Sequence, residues 1–283
     1  MAKIPIPAKR LIKSRPTIAI IGGAGPDAAI DLQIKLSCIM KKKLNINFDQ
    51  EHYRVVIDNN ASIPNRDEAL LNNGPSPLLT YINSAINLEK MGGNILTISC
   101  NTAHSYFEEI QKITNMKLVN MIEETASFLY NQYKGLKKVG LLSTSATIKK
   151  KLYCNALNKY GIEVITPDAM HQNNVMQAIY GIKAGVINNK QLNDSNKAKL
   201  TNLYKYVLKT KPDIIIKSPR QLLFDAIYHF KQQGIEIVIL GCTEIPLALD
   251  RKKYKKSTVL IDSTEILANA AVDHAISLEN TIK

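Results

Sequence analysis

The sequence contains no tryptophan, and its aromatic content is only 6%. Arginine is scarce as well. A nucleic-acid surface stacks bases on aromatic rings set among basic residues; no such stripe occurs here, so no nucleic-acid partner is expected. No apolar run reaches the roughly 18 residues that span a bilayer, so no membrane association is expected either. The opening MAKIPIPAKRLIKSRP is basic and has no apolar h-region of a secretory signal. Residues 1–16 are expected to form a loose tail. The four cysteines, Cys38, Cys100, Cys154 and Cys242, form no CxxC pair, and no Cys/His group has zinc spacing. No metal is therefore expected. Without an export signal the cytoplasm is the expected location, and thiols there stay reduced. A cysteine that matters should do so through reactivity.

What is present suits a globular enzyme-sized chain. The 283 residues are 45% hydrophobic, enough for one large core or two modest ones. The net charge of +13 comes mostly from lysine, in short runs such as Lys41-Lys42-Lys43, Lys149-Lys150-Lys151 and Lys252-Lys253. These read as a solvated surface whose positive field can raise the on-rate of a small anionic substrate.

Short β-rich runs alternate with helical stretches. Strands are expected at 17–21, 53–58, 94–99, 117–121, 138–143, 162–167, 235–241 and 258–262. Helices are expected at Asp27–Met40, Pro77–Met91, Ile122–Tyr133, Thr147–Tyr160 and Ser263–Ile276. Such alternation builds βαβ units on a parallel sheet, and runs apolar on both faces, such as IVIL, fit strands covered on both sides. NILTIS-Cys100-Asn-Thr and IVILG-Cys242-Thr-Glu echo one another half a chain apart. The expected architecture is α/β, with two similar doubly wound parallel-sheet domains and an active site in the cleft between them. Residues 17–125 plus 250–283 are assigned to the first domain and 126–249 to the second. The lysine-rich segment from Gln191 reads as a helix or insertion on the second domain.

Ligands of open α/β sheets sit at the carboxyl ends of the strands. Cys100 and Cys242 both fall there, each before a possible helix start, where N–H groups and the dipole favour a thiolate. Cys38 and Cys154 lie on helical stretches and read as packing residues. Two thiols facing each other across a cleft could deprotonate a carbon acid on one face and reprotonate it on the other.

The motifs IGGAGP (21–26), IDNNASIPNRD (57–67), SCNTAH (99–104), GLLSTSAT (140–147), IKAG (182–185) and LGCTEIPL (240–247) run in order through the chain. Together they resemble the aspartate/glutamate racemase superfamily, and the aspartate branch most. The glutamate branch typically carries a histidine where CTE has Glu244. The resemblance implies a cofactor-independent racemase acting on a small dicarboxylic amino acid, in a homodimer. It implies Cys100 and Cys242 as catalytic, and Arg66 and Lys183 as cations for substrate carboxylates. Asn59, Asn101, Thr102 and Thr243 match polar positions that line the site. Asn65 and Asp67 depart from the pattern and place a carboxylate beside Arg66, and Ala146 stands where a glycine is common. These departures bear on specificity. His104 either tunes the Cys100 thiol or holds a helix start.

Two rival readings use the same residues. Gly23-Ala24-Gly25-Pro26-Asp27-Ala28 fits the G-x-G-x-x-G/A fingerprint of a dinucleotide-binding oxidoreductase, although the acidic residue expected about 20 positions on is misplaced. A non-catalytic two-domain protein that clamps an anion would need neither cysteine.

Overall fold

A computed structural model describes residues 15–208, 217–249 and 258–281. The expected tail up to residue 14, part of the 191–225 segment and the Lys252-Lys253 run lie outside the described residues.

In the first half, β1 (Thr17–Gly22), β2 (Arg54–Asn59), β3 (Ile95–Ile98) and β4 (Lys117–Leu118) form a parallel sheet of order β2-β1-β3-β4. In the second half, β5 (Lys138–Ser143), β6 (Glu163–Ile165), β7 (Ile237–Gly241) and β8 (Val259–Asp262) repeat that order as β6-β5-β7-β8. The internal echo is therefore a duplicated topology. β3 and β7, which lead to Cys100 and Cys242, hold equivalent places in their sheets.

Twelve α-helices fill the connections among the described residues. They are α1 (Pro26–Leu44), α2 (Arg66–Leu71), α3 (Leu78–Lys90), α4 (Phe107–Gln111), α5 (Met121–Gln132) and α6 (Ser145–Lys149), followed by α7 (Leu152–Asn158), α8 (Ala169–Lys183), α9 (Asp194–Leu208), α10 (Pro219–Gln232), α11 (Ile245–Ala248) and α12 (Ser263–Thr281). Each sheet is apolar on both faces because its residues alternate sides. Ile18 and Ile20 pack with Leu32 and Leu36 of α1, while Ala19 and Ile21 pack with Tyr81 and Leu88 of α3. Leu142, Val238 and Leu240 meet α8 and α10, while Leu141 and Ile239 meet α5 and α7.

Three expectations need correction. β8 was placed in the first domain, but it pairs with β7 in the second sheet through Ile239↔Ile261. Only the following helix, α12, returns: Leu267, Ala268, Ala271 and Val272 join the core over Ile18 and Ile20. Reciprocally, α5 leaves the first half, and its Ile122, Ala126 and Leu129 join the second core. The cut at residue 125 therefore runs through a helix that belongs with the second sheet. Hydrophobic periodicity shows that a helix has an apolar face but not which sheet it covers. Finally, the single helix expected over Thr147–Tyr160 is two. The chain turns at Lys151, whose φ of 53° is left-handed, and a non-glycine residue there ends regular helix.

Candidate active site

The carboxyl ends of both sheets open onto one cavity of about 270 Å3. Cys100 and Cys242 line it, 9% and 6% exposed. Arg66, Lys183, Asn101, Thr102 and Thr243 line it too, together with Asp67, Tyr180 and Glu244. Asn59 does not line this cavity. It ends β2 and is exposed, with its Oδ1 against the backbone of Gly22.

Cys242 has an acidic partner. Its Sγ donates to Glu244 Oε2 at 3.0 Å, and Glu244 Oε1 lies 2.8 Å from Lys183 Nζ. Burial opposes the charge on Glu244, yet Lys183 and the Cys242 thiol hold its pKa below the usual carboxylate range. Burial, and then the Glu244 charge, push the Cys242 thiol well above its ordinary value. The sequence led to the opposite expectation, a thiolate favoured by a helix start. The four-residue helix α11 cannot outweigh a buried carboxylate in contact with the sulfur. Lys183 is likewise not a free cation. Its Nζ also donates to Ala24 O at 3.1 Å. Burial works against its charge, but Glu244 holds its pKa above the ordinary lysine value.

The surroundings of Cys100 have the opposite sign. Arg66, at the start of α2, donates to the carbonyls of Ala24 and Pro64. Its Nε is buried without a hydrogen-bond partner. Burial disfavours its charge, but Cys100, Tyr81 and Glu244 together raise its pKa. Tyr81, fully buried on α3, is itself pushed well above the usual phenol range by burial and then by Cys100. A cation thus stands by one sulfur and an anion by the other.

The remaining residues tie the two halves together. Tyr153 Oη donates to Asn101 Oδ1 at 2.5 Å, and Asn101 Nδ2 donates to Ser263 Oγ at 3.3 Å. The Thr102 hydroxyl meets those of Thr144 (3.1 Å) and Thr147 (2.9 Å). Thr243 Oγ1 donates to Ser99 O at 3.1 Å. Asn65 and Asp67, the departures from pattern, also cross the cleft. Asn65 Nδ2 donates to Tyr180 Oη at 2.9 Å, and Asp67 Oδ1 accepts from the Ala146 N–H at 3.1 Å. Burial raises the Asp67 pKa, although Ala146, Thr144 and Lys183 favour its charged form.

His104 holds a helix start. Its Nε2 accepts from the Met121 N–H at 3.1 Å, which leaves Nδ1–H to donate to Cys100 O at 2.9 Å. Burial lowers its pKa, consistent with a neutral ring bonded to backbone on both sides. Sequence reasoning passed over Glu244, treating it only as a branch marker in CTE. It also missed Tyr81, which no motif marks, and Tyr180, one helical turn before Lys183.

The glycine loop bears on the dinucleotide reading. A Cβ on Gly25 would lie 2.0 Å from Glu244 Oε1. The Glu244 carboxylate thus sits at the N-terminus of α1, where a pyrophosphate would have to bind. Gly23 has φ +84° and backs onto Asn60, where any Cβ would lie 2.1 Å from backbone. The glycines are explained by turning and close approach, without a nucleotide.

The sequence matches the Asp/Glu/Hydantoin racemase family over residues 21–216. The chain belongs to that family. Among relatives, the broad specificity amino-acid racemase RacX of Bacillus subtilis is 27% identical over 199 residues, covering 70% of this chain and 72% of RacX. The aspartate racemase of Picrophilus torridus superposes with a TM-score of 0.71 at 30% identity, covering 92% of this chain and 94% of that one. An aspartate racemase homologue from Pyrococcus horikoshii, 25% identical, gives a TM-score of 0.62, covering 92% of this chain and 99% of the homologue. Racemase-family membership and the α/β two-domain fold thus agree, with both cysteines in the cleft.

Proposed function

We propose that the protein racemises aspartate or glutamate by a two-thiol proton transfer at Cα. The observation that carries this reading is the pair of cysteines at equivalent strand ends, lining one cavity with charges of opposite sign beside them. One enantiomer loses its Cα proton to Cys100 as thiolate, and the carbanion takes a proton on its other face from the Cys242 thiol. The reverse direction starts with the proton on Cys100: the Cys242 thiolate takes the Cα proton and the Cys100 thiol donates, while Glu244, hydrogen-bonded to Cys242 Sγ, relays the Cys242 proton when the free enzyme passes between these two states. Lys183 positions Glu244, while Arg66, with its unpartnered Nε, takes a substrate carboxylate and supports the negative charge that spreads toward it.

Racemisation in heavy water tests this directly. The product enantiomer should carry deuterium at Cα. No exchange with aspartate, glutamate or any other common amino acid would rule the proposal out.

One observation favours a substrate range wider than dicarboxylates. When Asp67 is ionised, the cavity's two cations, Arg66 and Lys183, are matched by the carboxylates of Asp67 and Glu244, and the exposed Asp27 in the lining adds a third. A substrate with a second carboxylate then gains less from this site than from a cationic one.

A further inference from the structure

A second cluster of chemistry lies at the start of α8, away from the cleft. Asp168 caps that helix by accepting from the His171 N–H at 2.8 Å. Its Oδ1 also lies 2.8 Å from His171 Nδ1, and its Oδ2 lies 3.4 Å from His229 Nε2 on α10. The two imidazoles stack, with centroids 3.9 Å apart and planes inclined by 15°. One possible ligand atom from each of the three residues falls within 4.8 Å of the others. The Gln233 amide sits 2.8 Å from His229 Nε2.

Without an ion the group is held by hydrogen bonds: Asp168 Oδ1 faces both the backbone N–H and Nδ1 of His171, and the Gln233 amide faces His229 Nε2, while Asp168 Oδ2 faces the second imidazole across 3.4 Å. A divalent ion suits all three side chains, because neutral imidazoles offer lone pairs and the carboxylate offers charge. Two nitrogens and one oxygen, with water completing the shell, match zinc and similar borderline ions. A tetrahedral ion with bonds of about 2.1 Å sets its ligands about 3.4 Å apart, so the two rings must swing out of their stack to aim both nitrogens at the ion. The histidine side chains are 14% and 19% exposed, while Asp168, half exposed, leaves a path from solvent.

We propose that Asp168, His171 and His229 bind a divalent transition-metal ion that clamps the start of α8 to α10. The far end of α8 carries Tyr180 and Lys183 into the cavity, about 18 Å along the helix from His171. The ion therefore steadies the wall that positions Glu244 and takes no part in proton transfer. No motif announces the site, because His171 and His229 come from different helices.

The test uses untagged protein stripped with a chelator and then titrated with Zn2+ or Co2+, followed by calorimetry, thermal melting and the visible spectrum of Co2+. One equivalent should bind. The melting temperature should rise on the order of 5 °C at about 100-fold excess over Kd. Binding should persist in Cys38→Ser and Cys100→Ser and weaken at least about 10-fold in His171→Gln and His229→Gln. The Co2+ spectrum should lack a sulfur-to-metal charge-transfer band. No binding by the wild-type protein at about 1 mM metal would overturn the proposal. So would binding that survives both histidine substitutions, or that disappears with a cysteine. The wild-type titration decides even if a variant does not fold.

Discussion

At Cys242 the neighbours decide what the sulfur can do. A buried thiol beside an anion holds its proton, so Glu244 limits the release of that proton. Cys100→Ser and Cys242→Ser should each abolish racemisation, because the reaction needs a group on both faces; wild-type turnover in either would break the two-thiol scheme. Glu244→Gln removes the acceptor for the Cys242 proton while keeping the side chain's shape. It should lower kcat by about 100-fold with a smaller change in KM, and steady-state kinetics from both enantiomers would show whether one direction suffers more. Asp67→Asn keeps an acceptor for the Ala146 N–H and removes a negative charge from the cavity. It should lower KM for aspartate relative to that for alanine; an unchanged ratio would mean that Asp67 does not set specificity.

At the scale of elements, contacts between segments explain residues that local pattern describes only in part. Gly25 has extended backbone that any residue could adopt, yet a side chain there would strike Glu244. Gly25→Ala should therefore keep the helix content of the protein and lose activity, as far-UV circular dichroism and a racemase assay would show. Tyr153→Phe would leave Asn101 Oδ1 without its donor across the cleft and should cost about 1–3 kcal/mol by denaturant unfolding. Every strand among the described residues was legible, because apolar runs flanked by polar turns read alike in any context. The break at Lys151 was not, since its left-handed backbone leaves no mark on an amphipathic pattern. Cys100 and Cys242 could be read because each ends such a run and its counterpart repeats it. Asn59, at an equally good strand end, does not line the cavity although Ala61 and Ile63 just after it do, because its side chain lies against Gly22 of the neighbouring strand.

Across the whole molecule, α5 and α12 are exchanged between the halves. Neither half can complete its core alone, so calorimetry should show one cooperative transition, coincident with loss of circular dichroism; two separable transitions would contradict the exchange as a stabilising device. The Lys183–Glu244 pair spans the same junction through Ala24. Because the folded-state pKa of Glu244 is lowered, its contribution to stability is present above the unfolded value of about 4.3 and is lost as pH falls through the folded one. Melting followed from neutral pH to below pH 4 should fall less steeply in Glu244→Gln than in wild type. The raised Cys242 thiol acts in the opposite window: its contribution is full below about pH 8.5 and is lost as pH rises through the folded value. Cys242→Ser should therefore flatten the alkaline limb.

By itself the sequence determined the alternation of strands and helices, the duplication, and the two cysteines at matching strand ends. These rest on period and order along the chain, which burial on both faces of a parallel sheet imposes locally. Tertiary structure alone decided which sheet each connecting helix covers and that Lys183 pairs with Glu244. It also brought Asp67 against α6 and His171 against His229. Those pairings join residues far apart in sequence, and their charges, thiols and imidazoles acquire their properties only from the neighbours that folding supplies.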